Sequence, residues 1–254
     1  MKIEEFRRHL DVAISATIRP EVLDLTLFSF YKHFLGQFGS TRLIVNVDPL
    51  GVPGGQAAEV LAVCQRFTPH VTSRCPATPS FASAVKWCWE QVASAAFLHL
   101  EDDWLLRRTM PVERVHARLM THERVAAVRF NLTRNPRADP PVSDALSLNP
   151  SVFRTEFLRE ALPRFDCAKD PEKQFRSVPE LAHWQFLYYG APGESACVVD
   201  IGKKWRRLHD FQKWQPGSGT MAWNKGAASS SSSRRLFYRL KYRFFMLYWR
   251  HVTV

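Results

Sequence analysis

The stretch AAFLHLEDDWLL, Ala95 to Leu106, is apolar as far as Leu100 except for His99. It then sets Glu101, Asp102 and Asp103 side by side before turning apolar again. Three adjacent carboxylates repel one another, and burying them unpaired is costly, so a positive partner is expected beside them. Two other segments end in polar residues. VAISATI, Val12–Ile18, closes on Thr17 and Arg19, and RLIVNV, Arg42–Val47, runs into Asp48 and the turn-rich LGVPGG. Neither GxxxxGK[ST] nor GxGxxG occurs. A phosphate-bearing ligand gathered by these residues has no glycine-rich loop to hold it and needs a metal ion. Carboxylate oxygens suit hard divalent cations, Mg2+ or Mn2+. Taken singly, the residues have plainer readings: Asp48 before Pro49 as a turn former, Arg19 as a surface charge, the acidic triplet as a solvated loop.

The elements that must position them follow from hydrophobic spacing. Val12–Ile18 reads as a strand, and Pro20 suits the start of a helix over Glu21–Phe34 with Val22, Leu25 and Phe28 on one face. Arg42–Val47 is a second strand, Ala57–Phe67 a helix, Val71–Ser73 a weak strand, and Ser80–Ala93 a helix opened by a capping serine. The strand at 95–100 leads into the acids. Pro111–Thr121 reads as a helix and Val125–Asn131 as a strand, and LSLNPSVFRTEFLREAL as a strand running into a helix. Alternating strands and helices predict an α/β fold, a mostly parallel sheet flanked by helices. In such sheets ligands bind beyond the carboxyl ends of the strands, where Thr17, Asp48 and Glu101–Asp103 fall.

The chain has 254 residues, 46% hydrophobic, enough for a sizeable core. Its five cysteines are scattered and odd in number with no CxxC pair, so they are expected to be reduced core fillers. The start, MKIEEFRRHL, shows no apolar leader, and no run approaches a membrane span; a cytoplasmic protein is expected. The net charge of +11 is confined to one end. From Lys203 onward there are twelve Lys/Arg and one acid, Asp210, so residues 1–202 are neutral. GAASSSSS, 226–233, reads as a linker between a body over 1–225 and a tail over 234–254. The tail carries Arg234, Arg235, Arg239, Lys241, Arg243 and Arg250 with no acid, and Leu236, Leu240, Phe244 and Leu247 fall on one helical face. A basic amphipathic C-terminal helix suits an anionic membrane surface, which predicts peripheral attachment at the inner face; the interleaved aliphatics favour lipid over nucleic acid. The plainer reading is a helix packed on the body or on another subunit.

The residues VAISATIRPEVLDLTLFSF, RLIVNVDPLG, SFASAVKWCWEQV and FLHLEDDW come in the order and spacing of the nucleotide-binding half of GT-A fold glycosyltransferases, and the sequence most resembles the family-2 group. The acidic triplet stands where that family has its DxD motif, with Glu101 in the first position as a variant. LSLNPSVFR, KDPEKQF and VVDIGKKWRRLHDFQKW extend the likeness over roughly 11–214, with a nucleotide-binding half at about 11–131 and an acceptor half at about 132–225. The resemblance implies a metal held by Asp103, with His209 as a further metal or diphosphate contact. It implies that Asp102 and Glu101 meet the metal or the donor ribose, and that Thr17, Arg19 and Asp48 meet the nucleotide. It implies a general base from the acceptor half, with Glu172 the choice and Asp170 the reserve; without it, Pro171 and the two acids simply open a helix.

The implied activity is an inverting, metal-dependent transfer of sugar from a nucleotide-sugar donor to a glycan acceptor, lipid-linked at the membrane surface. Two alternatives stand beside it. A sugar-1-phosphate nucleotidyltransferase would carry a glycine-rich, basic signature near the first strand, and SATIRPEV has no glycine. A non-catalytic membrane- or nucleic-acid-binding module would not need the acidic triplet.

Overall fold

A computed structural model describes residues 1–130, 142–143, 146–190, 194, 196–208, 211–214, 222–225, 240, 244 and 247–248. In chain order the elements are α1 (Ile3–Arg8), β1 (Leu10–Ile18), α2 (Pro20–His33), β2 (Thr41–Gly51), α3 (Ala57–Phe67), β3 (Val71–Arg74), α4 (Phe81–Glu90), β4 (Ala96–Glu101), β5 (Trp104–Leu106), α5 (Val112–Leu119), β6 (Val125–Arg129), β7 (Val142–Ser143), β8 (Ser151–Arg154), α6 (Thr155–Ala161), β9 (Gln185–Tyr188), β10 (Val198–Asp200), α7 (Gly202–Leu208), β11 (Phe211–Trp214) and β12 (Ala222–Lys225). Eight strands form one sheet in the order β3-β2-β1-β4-β8-β6-β9-β7. The pairs β2–β3, β1–β2, β1–β4 and β6–β9 are parallel, while β8 lies antiparallel between β4 and β6 and β7 antiparallel on β9. Because β8 reverses direction twice over, β4 and β6 point the same way, and the carboxyl ends of β1, β2, β4, β6 and β9 share one edge.

The strands read as nearly continuous apolar runs because both faces are covered. Val12, Ile14, Leu43, Val45, Leu98 and Leu100 face a core with Leu23, Leu27 and Phe30 of α2 and Val60 and Cys64 of α3. The alternate residues Ala13, Ile44 and Phe97 face a second core with Val85, Cys88 and Trp89 of α4 and Phe157 of α6. A third, smaller cluster of Val22, Leu25, Leu105, Ile201 and Trp205 ties α7 to α2 and β5.

Several elements depart from their sequence reading. Helix α4 ends at Glu90 rather than Ala93, because the Ala93 and Ser94 N–H groups turn to the buried Asp11 carboxylate. Strand β2 does not end at Val47. It continues to Gly51 after a register shift opposite Thr17/Ile18. Gly51 has φ +143, and a Cβ there would overlap the Ile18 carbonyl, so only glycine fits. Cys64, Cys88 and Cys197 are buried as expected, but Cys75 is exposed and Cys167 only half-buried. Residues 131–141 and 226–233, including the linker, lie outside the described residues, as do His209 and most of the tail.

Candidate active site

Strand β1 leads toward β2 and β3 on one side, while β4 returns on its other side, so the sheet order switches between β1 and β4. A crevice opens at the carboxyl end of such a switch. The register sets Thr17 beside Asp48 and Ser15 beside Glu101, which brings the three predicted strand ends together.

The chain leaves β4 at Glu101 and buries the next two residues, Asp102 and Asp103, at 2% and 6% exposure. The positive partner they require is Arg19, itself 1% exposed and therefore not a surface charge. Asp102 Oδ2 accepts from Thr17 N and Thr17 Oγ1, both 3.0 Å, and from Arg19 Nε at 3.1 Å. Arg19 Nη2 donates to Asp102 Oδ1 and, at 3.2 Å, to Asp103 Oδ2. Burial acts against the Arg19 charge, but Asp102 and Asp103 outweigh it and hold the guanidinium protonated. Burial pushes the Asp102 carboxyl up, Arg19 opposes it and Asp103 adds to it, for a net rise. Four donors converge on its two oxygens, an arrangement only the carboxylate can accept, so the pair is ionic despite that rise.

Three elements hold this ion pair in place. Thr26 of α2 donates to the Asp102 carbonyl at 2.8 Å. Strand β10 pairs antiparallel with β5, Asp200 opposite Trp104, and so returns the distant end of the chain to the acidic turn. There Asp200 caps α7 through Gly202 N at 2.9 Å, and Gly202 lies so close to Asp103 that a Cβ would fall inside its carboxylate. Trp205 lies under the Arg19 guanidinium, 5.2 Å to the ring centroid, and donates from Nε1 to Glu21 at 2.8 Å. Arg206 Nη1 stands 4.0 Å from Asp103 Oδ2. Thr26, Gly202, Trp205 and Arg206 are absent from the sequence reading. Only the basic, aromatic character of KKWRRL hinted at the last two.

Asp48 is buried with both oxygens engaged, Oδ1 by Asn46 Nδ2 at 2.8 Å and Oδ2 by Ser80 N at 3.1 Å. Burial raises its carboxyl, and nearby Asp102 adds to the rise. Glu101 is half-buried at the end of β4. The described contacts of the Asp103 side chain all run through Oδ2. Among the described residues no three His, Cys, Asp or Glu side chains converge into a protein-only metal cage. The oxygens at this edge are carboxylate oxygens, which suit a hard divalent cation sharing its shell with a ligand.

The acceptor half contributes Glu172, whose Oε1 accepts from Leu148 N at 2.7 Å and Ser147 Oγ at 3.2 Å. Asp170 Oδ1 accepts from Glu172 N and Lys173 N and so caps the turn that carries Glu172. Arg129, buried at the end of β6, lies over Phe186 and Tyr188, and burial lowers its pKa.

No family model matches the sequence, and no curated protein matches it. Solved structures do. A mannosyltransferase of Pyrobaculum calidifontis, PcManGT in complex with GDP-Man and Mn2+, superposes with TM-score 0.53 at 12% identity, over 79% of this chain and 60% of that one. S. aureus TarS, residues 1–349, gives TM-score 0.51 at 8% identity over 77% and 61%; its complex with UDP-GlcNAc gives 0.50 at 12% over 74% and 57%. The chain thus spans about three fifths of the length of these neighbours. They are glycosyltransferases of the GT-A type, and the likeness shows that fold here.

Proposed function

We propose that this GT-A-fold protein is an inverting, metal-dependent glycosyltransferase that moves a sugar from a nucleotide-sugar to a glycan acceptor carried on lipid at a membrane surface. The observation that carries the reading is the acidic turn after β4, set beside Thr17 and Asp48 at the switch point of the sheet. The neighbours in complex with GDP-Man and Mn2+ and with UDP-GlcNAc support a nucleotide-sugar donor. The direct run from β1 through Arg19 into α2, with no glycine, speaks against a nucleotidyltransferase loop.

In this reading Asp103, with its Oδ1 outside the described contacts, would hold Mn2+ or Mg2+, with His209, which lies outside the described residues, as the further contact. The ion's contribution is to neutralise the charge that grows on the leaving diphosphate. Thr17 and Asp48 border the nucleoside, and Glu101 its ribose; Asp102 is committed to Arg19 and Thr17 and sets the turn. Glu172, anchored through Oε1, takes the acceptor proton on Oε2 as the acceptor oxygen bonds to the sugar C1 and the bond from C1 to the diphosphate oxygen breaks. The electron pair and negative charge leave with the nucleoside diphosphate, and one displacement inverts C1. Asp170 positions Glu172.

The tail supports the membrane component. The described residues Leu240, Phe244, Leu247 and Tyr248 are helical and exposed, and their spacing places them on one face. Basic residues surround them in sequence. Calorimetric titration with UDP-, GDP- and CDP-linked sugars, in Mn2+ and in EDTA, tests the donor reading. At least one donor binds in Mn2+, and EDTA or Asp103→Asn weakens it by about tenfold or more. Failure of every donor, or equal affinity in all conditions, overturns it.

A further inference from the structure

The acidic motif holds its own cation. Asp102 and Asp103 are buried, and Arg19 reaches both, bidentate to the first and single-bonded to the second. The guanidinium is sealed by the same groups it neutralises and by the Trp205 ring. Arg206 adds a second positive charge 4.0 Å from Asp103. Two buried aspartates thus face two arginines. A divalent cation entering alone would lie against that positive pair in a site with little water to screen it, at a steep Coulomb cost. A diphosphate entering with the cation removes the imbalance, because its negative charges offset the cation and attract the arginines.

We propose that Arg19 is an internal counter-cation that excludes divalent metal from the acidic motif until an anionic nucleoside diphosphate enters with it. The inference rests on the donor reading above, and it makes the metal site conditional. In this structure the guanidinium satisfies the motif; with a donor, metal and diphosphate would share it with Arg19. Arg19 acts here as a positioning residue that holds the two carboxylates together.

Free Mn2+ measured by electron paramagnetic resonance tests this on the full chain, first with Mn2+ alone and then with Mn2+ plus UDP, GDP or CDP. The parent should bind Mn2+ alone weakly, and one diphosphate should tighten that binding by about tenfold or more. Arg19→Met should bind Mn2+ alone about tenfold more tightly than the parent, because its carboxylates have lost their cation. Arg19→Lys offers a point charge that cannot fork to both aspartates, so it should fall between the two. It carries the test if the methionine variant does not fold. An Arg19→Met protein that melts early in EDTA and recovers in Mn2+ reports the same competition by its Tm. Equal affinity of parent and variants for Mn2+ alone overturns the proposal, even where a diphosphate recruits metal. If the variants gain affinity but no diphosphate recruits metal to the parent, the donor reading fails and the counter-cation stands.

Discussion

In the proposed reading one carboxylate, Glu172, does two jobs on two oxygens. Oε1 is spent on Leu148 N and Ser147 Oγ, which fixes the side chain and leaves Oε2 for a proton. Glu172→Gln keeps the acceptor at Oε1 but removes the base. Turnover should fall by about 10²-fold or more while donor affinity stays within about twofold, read by steady-state kinetics beside calorimetry. Parent-level turnover would move the base elsewhere, and Asp170 is a poor successor, since its carboxylate already caps the turn. At this scale the sequence was half legible. Three adjacent acids demanded a cation, and Arg19 was already in view as a strand-end residue. That the two meet could not be read, because an arginine at a strand end looks the same whether it faces solvent or, as here, buried carboxylates in the turn after another strand.

Among the elements, the opposite edge of the sheet depends on Asp11. Fully buried at the start of β1, it accepts a bidentate pair from Arg42 of β2 at 2.8 and 2.9 Å and the Ala93 and Ser94 N–H groups just before β4. It therefore clamps three central strands. Burial raises its carboxyl, but Arg42, the two N–H groups and His9 prevail and hold it far below the usual carboxylate range. A carboxyl depressed in the folded state adds stability above its unfolded pKa of about 4, and that stability is lost as pH falls through the folded value. Asp11→Asn should cost about 3 kcal/mol or more at pH 7 by denaturant unfolding, and the gap should narrow as the pH is lowered below 4. A constant gap would remove ionisation from the explanation. The strand–helix alternation up to residue 130 was legible because the central strands β1, β2 and β4 are apolar on both faces and the helices between them on one. The β5–β10 pair and α7 were not, since three-residue strands carry too little pattern to be separated from loop.

For the whole molecule, the charge divides inside α7. Residues 1–202 are neutral, and every excess positive charge follows Lys203, with six in the tail and no acid among them. Ending the chain at Ala228 should release the protein from phosphatidylglycerol vesicles in a flotation assay while leaving metal-dependent donor binding unchanged, and high salt should weaken the full-length interaction. Co-flotation of the shortened protein at the parent level would make the tail a packing helix. Among the described residues no helix is long and apolar enough to cross a membrane. The close seat of Gly202 on Asp103 has a consequence for recognising kin. The acidic triplet by itself is a common string, but a backbone pressed against its last carboxylate tolerates no side chain. A fingerprint of Arg19, the triplet and a glycine four residues before an arginine, spread over almost the full body, therefore separates chains that can build this turn from chains that merely spell it.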